Sequence, residues 1–274
     1  MRSSACRVIC GAAVAVAVLG WGRVADAQYR PASEAAIGEK YHIEGGFAFW
    51  DPDLTLIVSS EAIGIAGDDV DLVNDLGIDS KKLRTFNLVL RPATKHKFRF
   101  QYLPLKYEAE AIVPREFIFN GLRYRVGLPV NTSADLTTYR FGYEYDFLYF
   151  PRGYVGVLLD LKYTDVDVTL SSPIGTGFTR QVAPIPGAGV AGRGYLAKNV
   201  SVTGEVTYFR IPNKLGKDEF GGRYLEYDFY GTVNFTQNVG AQVGYRSIHA
   251  EYFEDLDAGD LKFRGWYFGG VFRY

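Results

Sequence analysis

Apolar and polar side chains alternate with a period of two along most of this chain after residue 40. The alternation is clearest over 223–237 and 137–149, where aromatic residues share one face and charged residues share the other. Alternation of this kind predicts β-strands with two unlike faces. The same pattern recurs, less strongly, over 41–50, 83–91, 96–106, 154–171, 200–212 and the glycine-rich stretches 182–197 and 239–249.

The predicted strands are joined by connections that alternate between short and long. Short turns lie at 92–95, 150–153, 197–199 and 236–238, and longer polar connections lie at about 61–82, 113–135, 172–181, 213–222 and 256–260. Tight turns at one end and longer loops at the other are typical of transmembrane β-barrels. The fold prediction is an all-β, closed antiparallel transmembrane β-barrel of about ten strands. Eight or twelve strands stay open, because 116–128 fits either a loop hairpin or a further strand pair.

Composition separates the predicted barrel from a soluble β-sandwich. Aromatic residues make up 15% of the chain, with 20 Tyr and 19 Phe. A tyrosine has an apolar ring and a polar hydroxyl, so it suits a membrane interface, whereas a soluble sandwich has an aliphatic core. The formal net charge of −1 gives no reason to expect nucleic acid as a partner. The interfacial aromatics predicted near strand ends are Tyr102, Tyr149, Tyr163, Tyr208, Phe235 and Tyr245.

The beginning of the chain has the features of a secretory signal peptide. Arg2 and Arg7 supply positive charge, and 8–19 is an almost unbroken apolar run. That run is too short for a transmembrane helix, which needs about 20 residues. An Ala-Asp-Ala sequence at 25–27 matches a signal-peptidase site.

This processing site sets the predicted organisation of the chain. Cleavage there removes Cys6 and Cys10, so the exported protein is expected to hold no disulfide. The organisation is a signal peptide over 1–27, a short periplasmic segment over 28–40 and a barrel over 41–274.

The last predicted strand carries apolar residues at alternate positions and ends in an aromatic residue. These residues are Trp266, Phe268, Phe272 and Tyr274. With the signal peptide, this ending resembles that of the small Gram-negative outer-membrane β-barrel proteins, and the resemblance covers roughly 41–274. It implies location in the outer membrane, contact with membrane lipid and lipopolysaccharide, and delivery by periplasmic chaperones to the outer-membrane assembly machinery. It also implies that the four residues act as the assembly signal.

The polar faces of the strands predict a lumen filled with charges of both signs. An eight-stranded barrel is just filled by its side chains, and ten strands leave only slightly more room. Ion pairs are therefore expected to plug the bore in a structural or interaction protein, with a narrow, porin-like channel for small solutes as the sharper alternative. The predicted set has seven acids and seven bases: Glu44, Glu144, Asp146, Asp160, Glu205, Glu226, Asp228, Arg91, Lys97, Arg99, Arg140, Lys162, Arg193 and Arg246.

One group of residues suggests a different class of function. Ser247, His249 and Glu251 share one face of a predicted strand, and a Ser–His–carboxylate set can hydrolyse esters. Some outer-membrane lipid A deacylases carry such a set on a barrel strand, but their local order is His before Ser. The alternative function is therefore a lipid A-modifying hydrolase, and the main prediction is a non-enzymatic barrel. No motif for a cofactor or a metal ion is found.

Overall fold

The computed structural model describes residues 36–61, 65–211, 220–254 and 257–274. The predicted signal peptide, 1–27, lies outside the described residues. None of the described residues forms a helix long and apolar enough to cross a membrane. The strands of the described part are β1 (Ile43–Ser59), β2 (Val70–Asp71), β3 (Leu83–Ala93), β4 (His96–Ile112), β5 (Phe117–Phe119), β6 (Leu122–Tyr124), β7 (Pro129–Phe150), β8 (Gly153–Ser172), β9 (Gly175–Ala197), β10 (Val200–Ile211), β11 (Phe220–Asn234), β12 (Val239–Glu254) and β13 (Asp257–Arg273).

Ten long antiparallel strands close into a barrel, which confirms the predicted fold class and strand number. Each long strand pairs with its neighbours along the chain, and β13 pairs with β1 from Glu44↔Arg273 to Ser59↔Ala258. The alternatives of eight and twelve strands are wrong. Strands β5 and β6 form a separate two-stranded hairpin, so the ambiguous stretch is a loop hairpin between β4 and β7.

Several strands are longer than the sequence pattern predicted. A transmembrane β-strand needs about 9–11 residues, yet β7, β8 and β9 contain 22, 20 and 23 residues. The predicted loop at 172–181 is wrong, since β9 begins at Gly175, and β7 begins at Pro129 inside another predicted loop. About half of each of these strands therefore extends beyond the lipid-facing band on the side of the long connections.

The two faces of the barrel exchange their polarity along the strands. In the lower half of β8, near the short turns, Leu161 is exposed on the outside while Lys162 is buried inside. Beyond Tyr163 the order reverses, since Asp167 lies outside and Val168 is buried inside. The lower half thus has an apolar exterior and a charged interior. The upper half has a charged exterior and an apolar interior, as a water-soluble protein has.

The interior of the upper half is a packed hydrophobic core. Trp50 is buried there, and its Nε1 donates to the Gly265 carbonyl at 3.1 Å. The stretch after β2 and the β5–β6 hairpin fold into this space instead of leaving an open vestibule. Core residues include Leu56, Val58, Leu72, Leu76, Ile78, Leu103, Leu105, Tyr107, Phe117, Phe119, Tyr124, Val166, Val168, Leu170, Leu261 and Phe263.

Truncating the hairpin should destabilise the barrel through this upper core. Phe119 is 0% exposed, so we expect Phe119→Ala to lower the free energy of unfolding by about 3–5 kcal/mol. Ile112→Ala is the control, because Ile112 is 69% exposed and surface changes usually stay within about 0.5 kcal/mol. Urea unfolding of the protein folded in lipid vesicles measures both values. Equal effects of the two substitutions would show that the hairpin is not part of a packed core.

Candidate functional site

Charged side chains occupy the lumen of the lower half of the barrel. The structure places all fourteen predicted lumen charges on inward-facing strand positions. Twelve of them are buried, and the side chains of the other two, Arg99 and Arg246, are only 18% and 12% exposed. Strand alternation alone accounts for this placement, since residues i and i+2 point to the same face.

The lowest group of charges lies next to the short turns. Arg273 Nε lies 2.5 Å from Glu44 Oε2, and Arg193 Nη2 lies 4.0 Å from Glu44 Oε1. Glu39 lies 3.6 Å from Arg91 Nη1 and 3.8 Å from Arg193 Nη1. Neither Glu39 nor Arg273 is among the lumen residues predicted from the sequence. The alternation between Phe272 and Tyr274 already pointed Arg273 inward, but no pattern precedes β1 to indicate Glu39.

The middle group connects opposite sides of the lumen. Lys97 Nζ lies 2.7 Å from Glu144 Oε1 and 2.9 Å from Asp146 Oδ2. Arg99 bridges Glu144 on the adjacent strand, at 2.7 Å, to Glu205 on β10, at 2.5 Å. The register pairs Lys97 directly with Glu144. A cross-strand pair of opposite charge is favourable, and here it extends into a bridge across the bore.

A third group lies higher, just below the apolar core. Arg140 Nη2 lies 2.7 Å from Asp160 Oδ2, and Lys162 Nζ lies 2.8 Å from Asp160 Oδ1. Both bases also face Glu226, at 3.6 and 3.7 Å. The Lys162 ammonium lies 4.5 Å from the centre of the Tyr224 ring, where a cation–π contact adds to the ion pairs.

Arg246 and Asp228 complete the network on the other side of the barrel. Arg246 Nη2 lies 2.5 Å from Asp228 Oδ2, and the Tyr267 hydroxyl donates to Asp228 Oδ1 at 2.9 Å. Buried charges are costly to desolvate, and excellent pairing geometry is what offsets that cost. Removing one partner of a pair would leave the other charged and buried.

The segment before β1 lies in the lower mouth of the barrel. Residues 36–40 belong to the predicted periplasmic segment, and Ala36 and Glu39 are buried there. Its backbone bonds to three short turns: Ala36 N to the Pro151 carbonyl at 3.0 Å, Ile37 N to the Lys198 carbonyl at 2.7 Å, and Gly38 N to Gln237 Oε1 at 2.8 Å. The segment therefore covers the lower end of the charged lumen.

Ser247, His249 and Glu251 lie outside the lumen, on the outward face of β12. His249 Nε2 lies 2.9 Å from Glu251 Oε1 and 3.0 Å from Asp260 Oδ1. Among the hydrogen bonds of the described residues, none joins Ser247 to His249. A Ser–His hydrolase needs that bond between nucleophile and base. The arrangement gives the hydrolase alternative no geometric support.

The His249 cluster is balanced in charge by bases on the neighbouring strands. Lys262 Nζ lies 2.7 Å from Asp260 Oδ2, and Arg223 Nη2 lies 2.5 Å from Glu251 Oε1. Asp260 lies above the lipid-facing band; burial acts to raise the pKa of its carboxyl, but hydrogen bonds from Lys262 and His249 hold that pKa below its usual value. Because both carboxylates already have cationic partners, the cluster works as a set of surface ion pairs.

The aromatic residues of the last strand lie on the outer surface of the barrel. Their exposed fractions are high, at 66% for Trp266, 56% for Phe268, 62% for Phe272 and 85% for Tyr274. Exposure of this size at four of the five outward positions from 266 to 274, with Gly270 as the fifth, fits a surface that faces lipid. Their action as an assembly signal stays a prediction.

Comparisons with known proteins agree with this geometry at the level of fold. No protein-family model matches the chain, and no curated protein matches it. Among solved structures, the outer-membrane protease OmpT from Escherichia coli is similar, with a TM-score of 0.51 and 9% identity over 85% of this chain and 96% of that one.

Two further solved structures share the barrel more loosely. The translocator domain of the autotransporter NalP from Neisseria meningitidis has a TM-score of 0.45 and 9% identity, over 86% of this chain and 89% of that one. An outer-membrane channel from Pseudomonas putida F1 has a TM-score of 0.41 and 10% identity, over 90% and 100%. The closed antiparallel sheet and the likeness to OmpT show that the chain has the fold of the outer-membrane β-barrel proteins.

Proposed function

We propose that this protein is an integral outer-membrane barrel with a sealed lumen, which serves as a structural or interaction protein and does not conduct small solutes. The observation that carries the proposal is the series of separate ion-pair groups that occupy the bore at successive heights. Lys97 and Lys162 both point into the lumen, yet each is only 1% exposed. A conducting pore requires a continuous water-filled path, and the charged side chains that line such a path are hydrated.

The lumen is blocked at three successive heights, which supports this proposal. At the lower end, the segment with Ala36 and Glu39 covers the mouth. In the middle, charges from opposite walls meet, as in the Arg99–Glu205 contact. At the upper end, side chains such as Phe119 fill the bore with an apolar core. The apolar core at the upper end is unfavourable for ions, because it offers no polar groups to replace their hydration water.

The outer surface supports location in the outer membrane. Exposed apolar side chains form a band around the lower half, and exposed charged side chains replace them above it. Transmembrane barrels have an apolar band of about 25 Å flanked by aromatic residues. Export through the predicted signal peptide is the matching prediction for the route. Finding the processed chain in the soluble periplasmic fraction would contradict the proposed location in the outer membrane.

Electrical recording tests the sealed lumen. The purified barrel inserted into planar bilayers should give no stepwise conductance, because no hydrated path crosses the ion-pair layers. A porin of about 16 strands, which leaves an aqueous channel, serves as the positive control in the same bilayers. Reproducible steps that scale with the number of inserted barrels would contradict the proposal in favour of the narrow channel.

Removing one charge from the network should destabilise the barrel strongly. Glu144→Gln leaves Lys97 and Arg99 without their shared partner, so we expect a loss of about 3–5 kcal/mol in the free energy of unfolding. The matched control is Glu116→Gln, which removes an exposed partner of Arg123 and should cost about 1 kcal/mol or less. Urea unfolding in lipid vesicles gives both numbers. If Glu144→Gln lowered the free energy of unfolding by no more than the control does, the charges in the lumen would have to be solvated.

A further inference from the structure

Three atoms that can bind a metal ion converge on the outer surface of β12 and β13. They are His249 Nε2, Glu251 Oε1 and Asp260 Oδ1, and all three lie within 4.8 Å of one another. The imidazole nitrogen lies 2.9 Å from the Glu251 oxygen and 3.0 Å from the Asp260 oxygen. Imidazole nitrogens and carboxylate oxygens are both common ligands of Zn²⁺ in proteins.

The spacing of these atoms fits a metal centre. Bonds from Zn²⁺ to imidazole nitrogen and carboxylate oxygen are about 2.0–2.2 Å long. Two such ligands at a tetrahedral or octahedral angle are therefore about 3.0–3.4 Å apart. The two separations measured from His249 Nε2 lie at the lower end of this range. Side-chain shifts of a few tenths of an ångström are enough to admit the ion.

The register of the two strands brings the ligands together. His249 and Glu251 are two residues apart on the outward face of β12, and Asp260 is directly opposite Glu251 on β13. Ligands on paired strands are held more precisely than ligands on loops. Two acids directly opposite each other on neighbouring strands repel. A divalent cation between the two carboxylates replaces this repulsion with attraction, so the pairing of Glu251 with Asp260 also favours a cation.

The two neighbouring bases affect the three ligands differently. Lys262 Nζ contacts Asp260 Oδ2, at 2.7 Å, and leaves Oδ1 to face His249. Such a contact orients the carboxylate, as the outer partners of metal ligands do. Arg223 Nη2 instead contacts Glu251 Oε1, the oxygen that faces His249. Arg223 therefore competes with a metal ion for one ligand atom.

The site is accessible from the water above the lipid-facing band. The side chains of His249, Glu251 and Asp260 are 14%, 38% and 33% exposed. This partial exposure lets an ion arrive from solution. Three protein ligands leave at least one position of a four-coordinate ion for water or an external group, whereas a closed structural site uses four protein ligands.

From these features we infer that His249, Glu251 and Asp260 bind one divalent transition-metal ion, with Zn²⁺ as the best fit. The ion takes the place of the proton on His249 Nε2, and the imidazole binds in its neutral form. Ca²⁺ and Mg²⁺ prefer ligand sets made of oxygen alone, so the imidazole selects against them. The bound ion links β12 to β13 above the membrane. This site is independent of the sealed lumen.

A metal-binding measurement tests the inference. The folded, untagged protein in detergent micelles is dialysed against Zn²⁺ or Ca²⁺, and the bound metal is measured by elemental analysis. We expect saturable binding of one Zn²⁺ per barrel and no saturable binding of Ca²⁺. A dissociation constant for Zn²⁺ weaker than about 1 mM, which corresponds to only about 4 kcal/mol, would overturn the inference. Equal binding of the two ions would overturn the role of the imidazole.

Two matched pairs of variants locate the ion. His249→Ala should abolish Zn²⁺ binding, whereas His96→Ala, which removes an exposed histidine on β4, should leave it unchanged. Asp260→Asn should weaken binding at least about tenfold. Its control is Asp135→Asn, which removes an exposed acid that pairs with Lys106 on another part of the outer surface. Binding that persists in both His249→Ala and Asp260→Asn would place the ion elsewhere and overturn the inference.

A third variant separates a metal site from a simple set of ion pairs. Arg223→Ala frees Glu251 Oε1, so it should tighten Zn²⁺ binding about fivefold, the effect of about 1 kcal/mol. The control, Arg84→Ala, removes an exposed base on β3 and should have no effect. Weaker or unchanged Zn²⁺ binding in Arg223→Ala would overturn the assignment of Glu251 Oε1 as a ligand.

Discussion

The structure depends on one constraint: the barrel wall passes through two solvents, and each solvent dictates which face of the wall carries the apolar side chains. Where lipid surrounds the barrel, Phe98 and Phe100 lie outside and Lys97 and Arg99 lie inside. Where water surrounds it, the order is reversed. Closure of the sheet, through the pairing of β13 with β1, lets backbone groups in the lipid-facing region bond within the wall instead of to water. The charged lumen and the apolar core are therefore two results of the same alternation.

This constraint also explains why the bore is closed. Charges that face inward in the lower half are excluded from lipid, and in a barrel of this width they reach one another across the lumen. Apolar residues that face inward in the upper half are excluded from water, so they attract the β5–β6 hairpin into the bore. In a barrel wide enough to remain hydrated, the charges would not meet across the lumen and the hairpin would not fill the bore.

The sequence predicted the strands, their number and the inward charges because all three follow from period-two alternation. It predicted β8 at almost its full length, but not the lengths of β7 and β9, because there the alternation was followed only as far as the apolar residues stayed outside. The reversal is visible in the sequence: Leu103 and Leu105 continue on the face that Arg99 occupies, and Lys106 replaces an aromatic on the other. The role of Glu39 depends on contacts between distant segments, which no local pattern encodes.

Accessibility of single cysteines along β8 tests the reversal of polarity most directly. The two cysteines of the chain, Cys6 and Cys10, precede the barrel, so single substitutions can be labelled in vesicles with a membrane-impermeant maleimide. Asp167→Cys should react rapidly, whereas Leu161→Cys and Val168→Cys should be protected, the first by lipid and the second by the core. Rapid labelling at Val168→Cys, with protection at Asp167→Cys, would show that lipid covers the upper half as well and would contradict the account.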